Sequence, residues 1–257
     1  MNIVISPAKK MNIDLEYETA QLPCFLNRAV ELMEYLRGLE FRELKELWKC
    51  NEKIASINYE RFSKMELTKG LTPALVSYEG IQFQYMAPKV FESGHWDYVD
   101  KHLYILSGFY GLLRPLDGVV PHRLEMQAAV KCSGFRNLYE YWGDSIYRKV
   151  YEDTDIVLNL ASKEYSRCIE EHLGKDKKLV TCIFGEYQKG RIVTKGTYAK
   201  MARGEMVRFM AENGIKEIDG IKAFDRLGFC YRPEESDDEH MVFIKEETQP
   251  AIQQEWR

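Results

Sequence analysis

The feature that most constrains this chain is a short apolar strand that runs directly into a loop rich in glycine, proline and charge. Residues 103–106 are apolar and β-rich, and Gly108 follows them closely. The loop over 107–126 holds large apolar side chains and four charged ones: Arg114, Asp117, Arg123 and Glu125. A solvated loop has no need of those apolar side chains, so the pattern predicts a buried turn whose charges are paired. Such a turn is either a structural corner or a ligand site held partly out of water.

The composition is that of a globular protein and excludes several classes. The chain has 257 residues, which is enough to bury a large core. Its formal net charge is −4, so any contact with nucleic acid must use a local basic patch. The six cysteines form no C-x-x-C pair and the five histidines lack metal-ligand spacing, so we expect no metal and no cofactor. Neither a signal core nor a membrane-length apolar run is present, which predicts a reduced, cytoplasmic protein.

Strand and helix patterns alternate along the chain, which predicts an α/β (α+β) fold with a mixed central sheet and surrounding helices. The predicted strands cover 2–6, 74–78, 103–106, 156–160, 178–184, 190–194, 229–231 and 241–244. The predicted helices cover 24–37, 41–48, a segment capped by Asn51, 95–102, 138–151, 163–172 and 197–213. Neither a repeat nor a flexible linker interrupts these patterns. We therefore predict a single domain over 1–245, followed by a polar tail over 246–257.

Three predicted strands are followed by a serine: Ser6, Ser107 and Ser162. Ligands of open α/β sheets bind beyond the carboxyl ends of the strands. If the three strands are parallel neighbours, their hydroxyls converge there, with Lys9 and Arg114 close behind in sequence. Such a cluster suits a phosphate or another oxyanion. The alternative is that each serine caps its own turn or helix.

The predicted helix after Gly196 carries a basic face. At about 100° per residue, Lys200, Arg203 and Arg208 share one sector, and Gly204 projects into its middle. A missing side chain at that point would let a phosphate backbone approach closely. The alternative is that Gly204 permits tight packing of the helix against a strand. Three carboxylates are candidates for holding the basic side chains in place, or for acid–base chemistry: Asp117, Glu125 and Asp144.

Several of these segments together resemble the YaaA family of bacterial peroxide-stress proteins. The resemblance rests on motifs that occur in a shared order: Ile5–Lys9, Ser107–Gly108, Leu113–Asp117, Arg123–Met126, Leu138–Tyr139, Trp142–Asp144, Asn159–Ser162, Glu164–Tyr165, Tyr198–Lys200 and Ala202–Gly204. It covers nearly the whole chain to about Lys245. His122 and Gln127 depart from the family pattern, which usually has tyrosine and often glycine at these places.

The resemblance implies a fold of unusual topology and a DNA-binding protein of the oxidative-stress response to hydrogen peroxide. It also implies that the protein limits damage from free intracellular iron, and we expect that effect to be indirect. Members are described with a helix-hairpin-helix element that grips the DNA backbone. In this chain that element would fall on the helices either side of Lys49–Asn51, although the turn between them has no glycine. An ordinary antiparallel helix pair is the alternative.

Two functions therefore remain open. The first is a non-enzymatic, monomeric protein that binds DNA independently of sequence, through backbone contacts of its basic cleft. The second is an enzyme acting on a nucleotide or nucleic-acid base, with Lys9, Ser107, Arg114, Asp117 and Arg123 around an anion site. A single cleft could serve both.

Overall fold

The computed structural model of this chain describes residues 1–246, which form a single α/β domain around a mixed, mostly parallel sheet. The strands are β1 (Asn2–Ile5), β2 (Lys10–Met11), β3 (Thr72–Pro73), β4 (Tyr78–Glu79), β5 (Leu103–Ser107), β6 (Gly111–Leu113), β7 (Gly118–Val119), β8 (Ile156–Leu160), β9 (Lys178–Gln188), β10 (Arg191–Val193), β11 (Phe229–Tyr231) and β12 (His240–Lys245). The predicted fold class is confirmed. The polar tail predicted over 246–257 lies, apart from Glu246, outside the described residues.

The main sheet has the strand order β11-β12-β9-β8-β1-β5-β6, and β10 pairs with β9. The five strands from β12 to β5 in this order run parallel, whereas β6, β10 and β11 are antiparallel to their partners. Strand β1 lies between β5 and β8, and Ile5 stands opposite both Ile105 and Leu160. These three strands therefore end at the same edge of the sheet. The residues of β1 are buried throughout, as expected for a parallel strand covered on both faces.

Helices surround the sheet. They are α1 (Leu26–Arg37), α2 (Phe41–Trp48), α3 (Glu52–Lys64), α4 (Ala74–Ser77), α5 (Ile81–Met86), α6 (Ser93–His102), α7 (Leu138–Trp142), α8 (Ser145–Val150), α9 (Lys163–Glu170) and α10 (Gly196–Asn213). Short 3₁₀ helices occur at Pro88–Val90, Ile218–Ala223, Arg226–Gly228 and Pro233–Glu235. Asn51 caps α3 as predicted, because its side chain accepts the backbone N–H of Ile54. Of the described helices, none is both long and apolar enough to cross a membrane.

Two predicted elements are wrong. Residues 74–77 form helix α4 rather than a strand, and all four are buried. An apolar run that is buried on every side has no periodicity to separate a short helix from a strand. The helix predicted over 138–151 is broken at Gly143, which has φ of 50° and ψ of −136° and separates α7 from α8. That backbone conformation disfavours any side chain.

The loop after β5 is a packed corner rather than a flexible connection. β6 folds back antiparallel along β5, so that Leu113 stands opposite Ile105. A Cβ on Gly108 would lie 2.5 Å from the carbonyl oxygen of Leu124. Gly111 has φ of 73°, and a Cβ there would lie 2.8 Å from the Trp142 ring. The chain can therefore cross itself at this corner only because these two residues lack side chains.

Candidate functional site

A cleft of about 410 Å³ opens at the carboxyl ends of β1, β5 and β8. The serines that follow or end these strands all line it: Ser6, Ser107 and Ser162. The Ser6 and Ser162 hydroxyl oxygens are 3.2 Å apart, and the Ser162 backbone N–H donates to Ser6 Oγ at 2.8 Å. Ser107 Oγ accepts the backbone N–H groups of Phe109 and Tyr110 at 3.2 and 3.1 Å. Each serine thus shapes its own turn and also faces the shared cleft.

A three-residue ion network crosses the cleft wall. Glu125 lies between two cations: its Oε2 is 3.0 Å from Lys9 Nζ, and its Oε1 is 3.0 Å from Arg123 Nη2. The Arg123 side chain is only 11% exposed, whereas Lys9 is largely open to solvent. The expectation that Arg123 is buried and paired within the loop is therefore confirmed. Its Nε is buried and has no hydrogen-bond partner in the protein.

Helix α10 supplies two further cations to the cleft, Lys200 and Arg203. Across the described residues, neither forms a salt bridge, although most basic groups around the cleft do. Arg203 is half-buried, and its Nε makes no hydrogen bond within the protein. Burial lowers the pKa of Arg203 below its ordinary value. The cleft lining as a whole has five basic and three acidic side chains, so it is locally positive on a protein of net charge −4.

The cleft lining also includes residues that sequence reasoning did not select as site residues: Tyr78, Gln82, Phe83, His122, Glu164 and Tyr165. His122 is 5% exposed, its Nδ1 donates to the Val120 carbonyl at 3.0 Å, and burial lowers its pKa to about 4. Burial also raises the pKa of Glu164, against the opposing hydrogen bond from the Gln127 N–H. Two features of the sequence could have pointed to these residues: the Glu164–Tyr165 motif and the departure from the family pattern at His122. Nothing local indicated Tyr78 or Gln82.

Arg114 and Asp117 do not reach this cleft. Because β6 runs back along β5, Arg114 is carried toward the amino end of β5, where its Nη2 lies 3.1 Å from Asp100 Oδ2. Its side chain is 39% exposed. Asp117 is buried but is not its ion-pair partner: Oδ2 accepts the backbone N–H of Arg114 at 2.9 Å, and Oδ1 accepts Gln21 Nε2 at 2.8 Å. Both residues line a separate cavity of about 160 Å³. The single anion site predicted around all five residues is therefore wrong.

Two other predicted residues lie apart from the cleft. Arg208 is on α10, but its Nε pairs with Glu212 at 2.7 Å. Asp144 pairs with Arg148 at 2.6 Å on the surface, at the start of α8. Of the three acids proposed to orient arginines, Glu125 is the one that the structure places against a cleft arginine.

Gly204 has a packing role rather than the predicted role of admitting a phosphate. It is buried against α5, where an added Cβ would lie 2.9 Å from the Met86 nitrogen and closer still to the Gln82 carbonyl oxygen. The partner is a helix rather than the predicted strand. The absence of a side chain lets α10 approach α5, and this contact brings Gln82 and Arg203 to the same cleft.

The helices α2 and α3 contact each other across the turn Lys49–Asn51, in which Lys49 has φ of 44°. Whether this pair grips DNA stays a prediction. In the part of the chain that the structure describes, no cluster of three or more His, Cys, Asp or Glu side chains could hold a metal ion.

Fold and site define the class: a single-domain α/β protein with a locally positive, serine-lined cleft at the carboxyl edge of its parallel strands. The sequence model of the family described as "Peroxide stress protein YaaA" matches residues 1–235. The chain belongs to the YaaA family of peroxide stress proteins, as the motifs predicted. It is similar to UPF0246 proteins of Lachnoclostridium phytofermentans (52% identical, covering 96% of this chain and 98% of the relative) and Desulfitobacterium hafniense (52%, covering 95% and 98%). It is also similar to one of Pediococcus pentosaceus (47%, covering 96% and 99%).

Proposed function

We propose that this chain acts in the peroxide stress response as a cytoplasmic monomer that binds the phosphate backbone of DNA at the serine-lined cleft. The observation that carries the proposal is the pair Lys200 and Arg203, which face the cleft without a protein counter-ion among the described residues. Unpaired cations beside hydroxyl groups are what a phosphate needs. Backbone contacts of this kind carry no base information, so binding should not depend on sequence.

The test is DNA affinity measured by fluorescence anisotropy at several salt concentrations. Each phosphate neutralised on a duplex contributes about 0.9 to the slope of log affinity against log salt. Lys200→Ala and Arg203→Ala should each weaken binding to unrelated sequences and flatten that slope by about one unit. Arg208→Ala is the matched control, because it removes a cation from the same helix that is already paired with Glu212.

Equal slopes in folded wild type, Lys200→Ala and Arg203→Ala, with folding checked by circular dichroism, would overturn the cleft as the DNA site. The helix pair is the other candidate surface. Lys53 is exposed in the first turn of α3. Loss of affinity in Lys53→Ala alone would therefore assign DNA binding to the α2–α3 element instead.

We propose further that the protein limits iron-related damage at DNA and does not sequester iron itself. A locally positive cleft repels a cation; of its three carboxylates, Glu125 is paired with Lys9 and Arg123 and Glu79 with Lys10, which leaves Glu164 as a single carboxylate ligand. Purified protein, dialysed and measured by mass spectrometry, should hold iron far below one equivalent. Stoichiometric retained iron would contradict the proposal.

One observation favours an enzyme as the second candidate, although not around the residues first expected. Glu164 is half-buried in the cleft, its pKa is raised, and it forms no salt bridge in the described chain. A carboxylic acid poised in this way is suited to general acid–base chemistry on a bound nucleotide or base. Incubating the protein with nucleotides and oligonucleotides, followed by mass spectrometry, tests this candidate. Product formed by wild type and lost in Glu164→Gln would support it.

A further inference from the structure

The buried polar atoms that lack a partner are concentrated at the cleft. Seven buried side-chain nitrogen or oxygen atoms in the described residues have no hydrogen bond within the protein, and four of them belong to cleft-lining residues. These four are Tyr78 Oη, Gln82 Nε2, Arg123 Nε and Arg203 Nε. The other three belong to α2, α3 and α6. A buried polar group left unpaired costs about 1–3 kcal/mol, so four at one place call for an explanation.

Tyr78 and Gln82 are the most informative of the four, because their side chains are built into the wall. Tyr78 is 3% exposed and Gln82 is 6% exposed. The Ser107 hydroxyl lies beside Tyr78, yet the two make no hydrogen bond of normal geometry. Both residues are held in place by packing, Tyr78 against Phe83 and His122, and Gln82 on the helix that α10 presses against. The wall therefore holds a glutamine amide nitrogen without a protein partner and a tyrosine hydroxyl whose neighbour, Ser107 Oγ, already accepts two backbone N–H groups.

The chemistry of the four groups selects a ligand rich in acceptors. The arginine nitrogens and the glutamine Nε2 can only donate, and a tyrosine hydroxyl can also donate. Phosphate oxygens and base carbonyls are acceptors. Thymine presents the O4 acceptor at a position where adenine presents an amino donor, so donors in the wall favour a carbonyl-bearing base.

The size and lining of the cleft select a ligand of one nucleotide. Its volume of about 410 Å³ falls within the range of small-molecule sites, roughly 300–1,000 Å³, and is far too small for a duplex. Tyr78, Phe83, His122 and Tyr165 give it aromatic walls, on which a base can stack. Lys200, Arg203 and the serines supply the phosphate end.

We propose that the cleft takes up a single nucleotide with a carbonyl-bearing base, its phosphate on the cleft cations and its base carbonyls on Tyr78 and Gln82. If that nucleotide is an unpaired one in a DNA strand, this inference rests on the proposed function and deepens it, because the duplex then stays outside the cleft and one nucleotide enters it. Where it is a free nucleotide, the same groups bind it without DNA.

The first experiment measures which nucleotide binds. Isothermal titration with 5′-dTMP, thymidine and 5′-dAMP should show binding of 5′-dTMP that weakens when either the phosphate is absent or the base is adenine. In parallel, anisotropy compares a hairpin duplex carrying one unpaired thymidine with the same hairpin fully paired. We expect the unpaired form to bind about tenfold more tightly, which corresponds to about 1.4 kcal/mol.

The second experiment separates a binding role from a structural one. Tyr78→Phe and Gln82→Leu remove groups that have no partner in the protein, so thermal stability should be unchanged or higher. Each should lower the affinity for 5′-dTMP and for the unpaired hairpin about fivefold to tenfold. Tyr110→Phe is the matched control: its hydroxyl accepts the Val120 N–H outside the cleft, so the variant should lose stability and keep its affinity.

The outcomes also separate the two proposals. Unchanged affinity in Tyr78→Phe and Gln82→Leu, or a clear loss of their stability without ligand, overturns the nucleotide pocket. Equal binding of paired and unpaired hairpins with no binding of 5′-dTMP overturns it too, while leaving DNA binding intact. Binding of 5′-dTMP that depends on Tyr78 and Gln82, without binding of any oligonucleotide, supports the pocket for a free nucleotide and overturns the proposed function.

Discussion

Asp117→Asn offers a direct test of how the charged corner is held. The Asp117 carboxylate is 1% exposed and accepts two hydrogen bonds, from the Arg114 backbone N–H and from Gln21 Nε2. Burial raises its pKa to about 6 from the ordinary value of 3.8, because these hydrogen bonds and the Arg114 charge only partly offset the loss of solvation. A group whose pKa is raised by folding stabilises the protein fully below its unfolded pKa. That contribution is lost as the pH rises through the folded pKa.

The size of the effect follows from the shift. A rise of about two pKa units corresponds to about 3 kcal/mol between the protonated and ionised limits. About 2 kcal/mol of this falls between about pH 4.5 and about pH 7. Asparagine at position 117 cannot ionise, so the unfolding free energy of wild type minus that of Asp117→Asn should fall by this amount across that range. Asparagine also loses one of the two acceptor oxygens, so the two proteins differ in unfolding free energy at every pH. The test is therefore how this difference changes with pH.

Urea unfolding followed by tryptophan fluorescence at several pH values measures this difference. Asp144→Asn is the control, because it removes a half-exposed carboxylate paired with Arg148 on the surface, where one pair contributes about 0.5 kcal/mol. A difference for Asp117→Asn that stays constant, or that grows in favour of wild type as the pH rises, would refute the reasoning. It would mean that ionised Asp117 is favoured by folding, as in a true ion pair with Arg114.

Further expectations follow from the packing around the cleft and from the cap of helix α3. Gly204→Ala should lower the melting temperature, because the gain of about 1 kcal/mol in helix propensity is outweighed by an overpacking cost of about 1–3 kcal/mol against Gln82. Gly196→Ala, in open space on the same helix, should not lower it. NMR titration should find His122 neutral down to about pH 5, because burial lowers its pKa; protonation near pH 6.5 would show an open site. Asn51→Ala should cost about 1 kcal/mol in urea unfolding, through loss of the α3 cap, and an unchanged midpoint would contradict that role.

Local sequence patterns determined much of the architecture. Apolar runs ended by serine, glycine or proline located β1, β5 and β8, and their serines were expected to meet at one edge of the sheet. The parallel pairing of β1 with both neighbours places them there. The basic face of α10 and the Asn51 cap were equally visible, because helical periodicity and capping depend on residues a few positions apart.

Other features were decided only by the tertiary structure. Arg114 was grouped with Lys9 because both follow a strand that ends in serine, but the β5–β6 hairpin carries Arg114 back to the other end of the strand. Gly204 lay in the middle of a basic sector, yet it serves the contact between α10 and α5. In both cases the local pattern was described correctly, but the sequence did not show where tertiary packing would place the residue.

Tyr78 and Gln82 show most clearly what the sequence could not predict. Nothing near them in sequence marks them, because what sets them apart is the absence of a partner for a buried hydroxyl and a buried amide. Whether a polar group finds a partner depends on every element packed around it, including segments more than 100 residues away. Sequence alone determined most of the strands and helices and the Asn51 cap, since those depend on neighbours along the chain; helix α4 and the break at Gly143 were exceptions. The tertiary structure alone decided which polar atoms face one another, since that depends on how the elements pack.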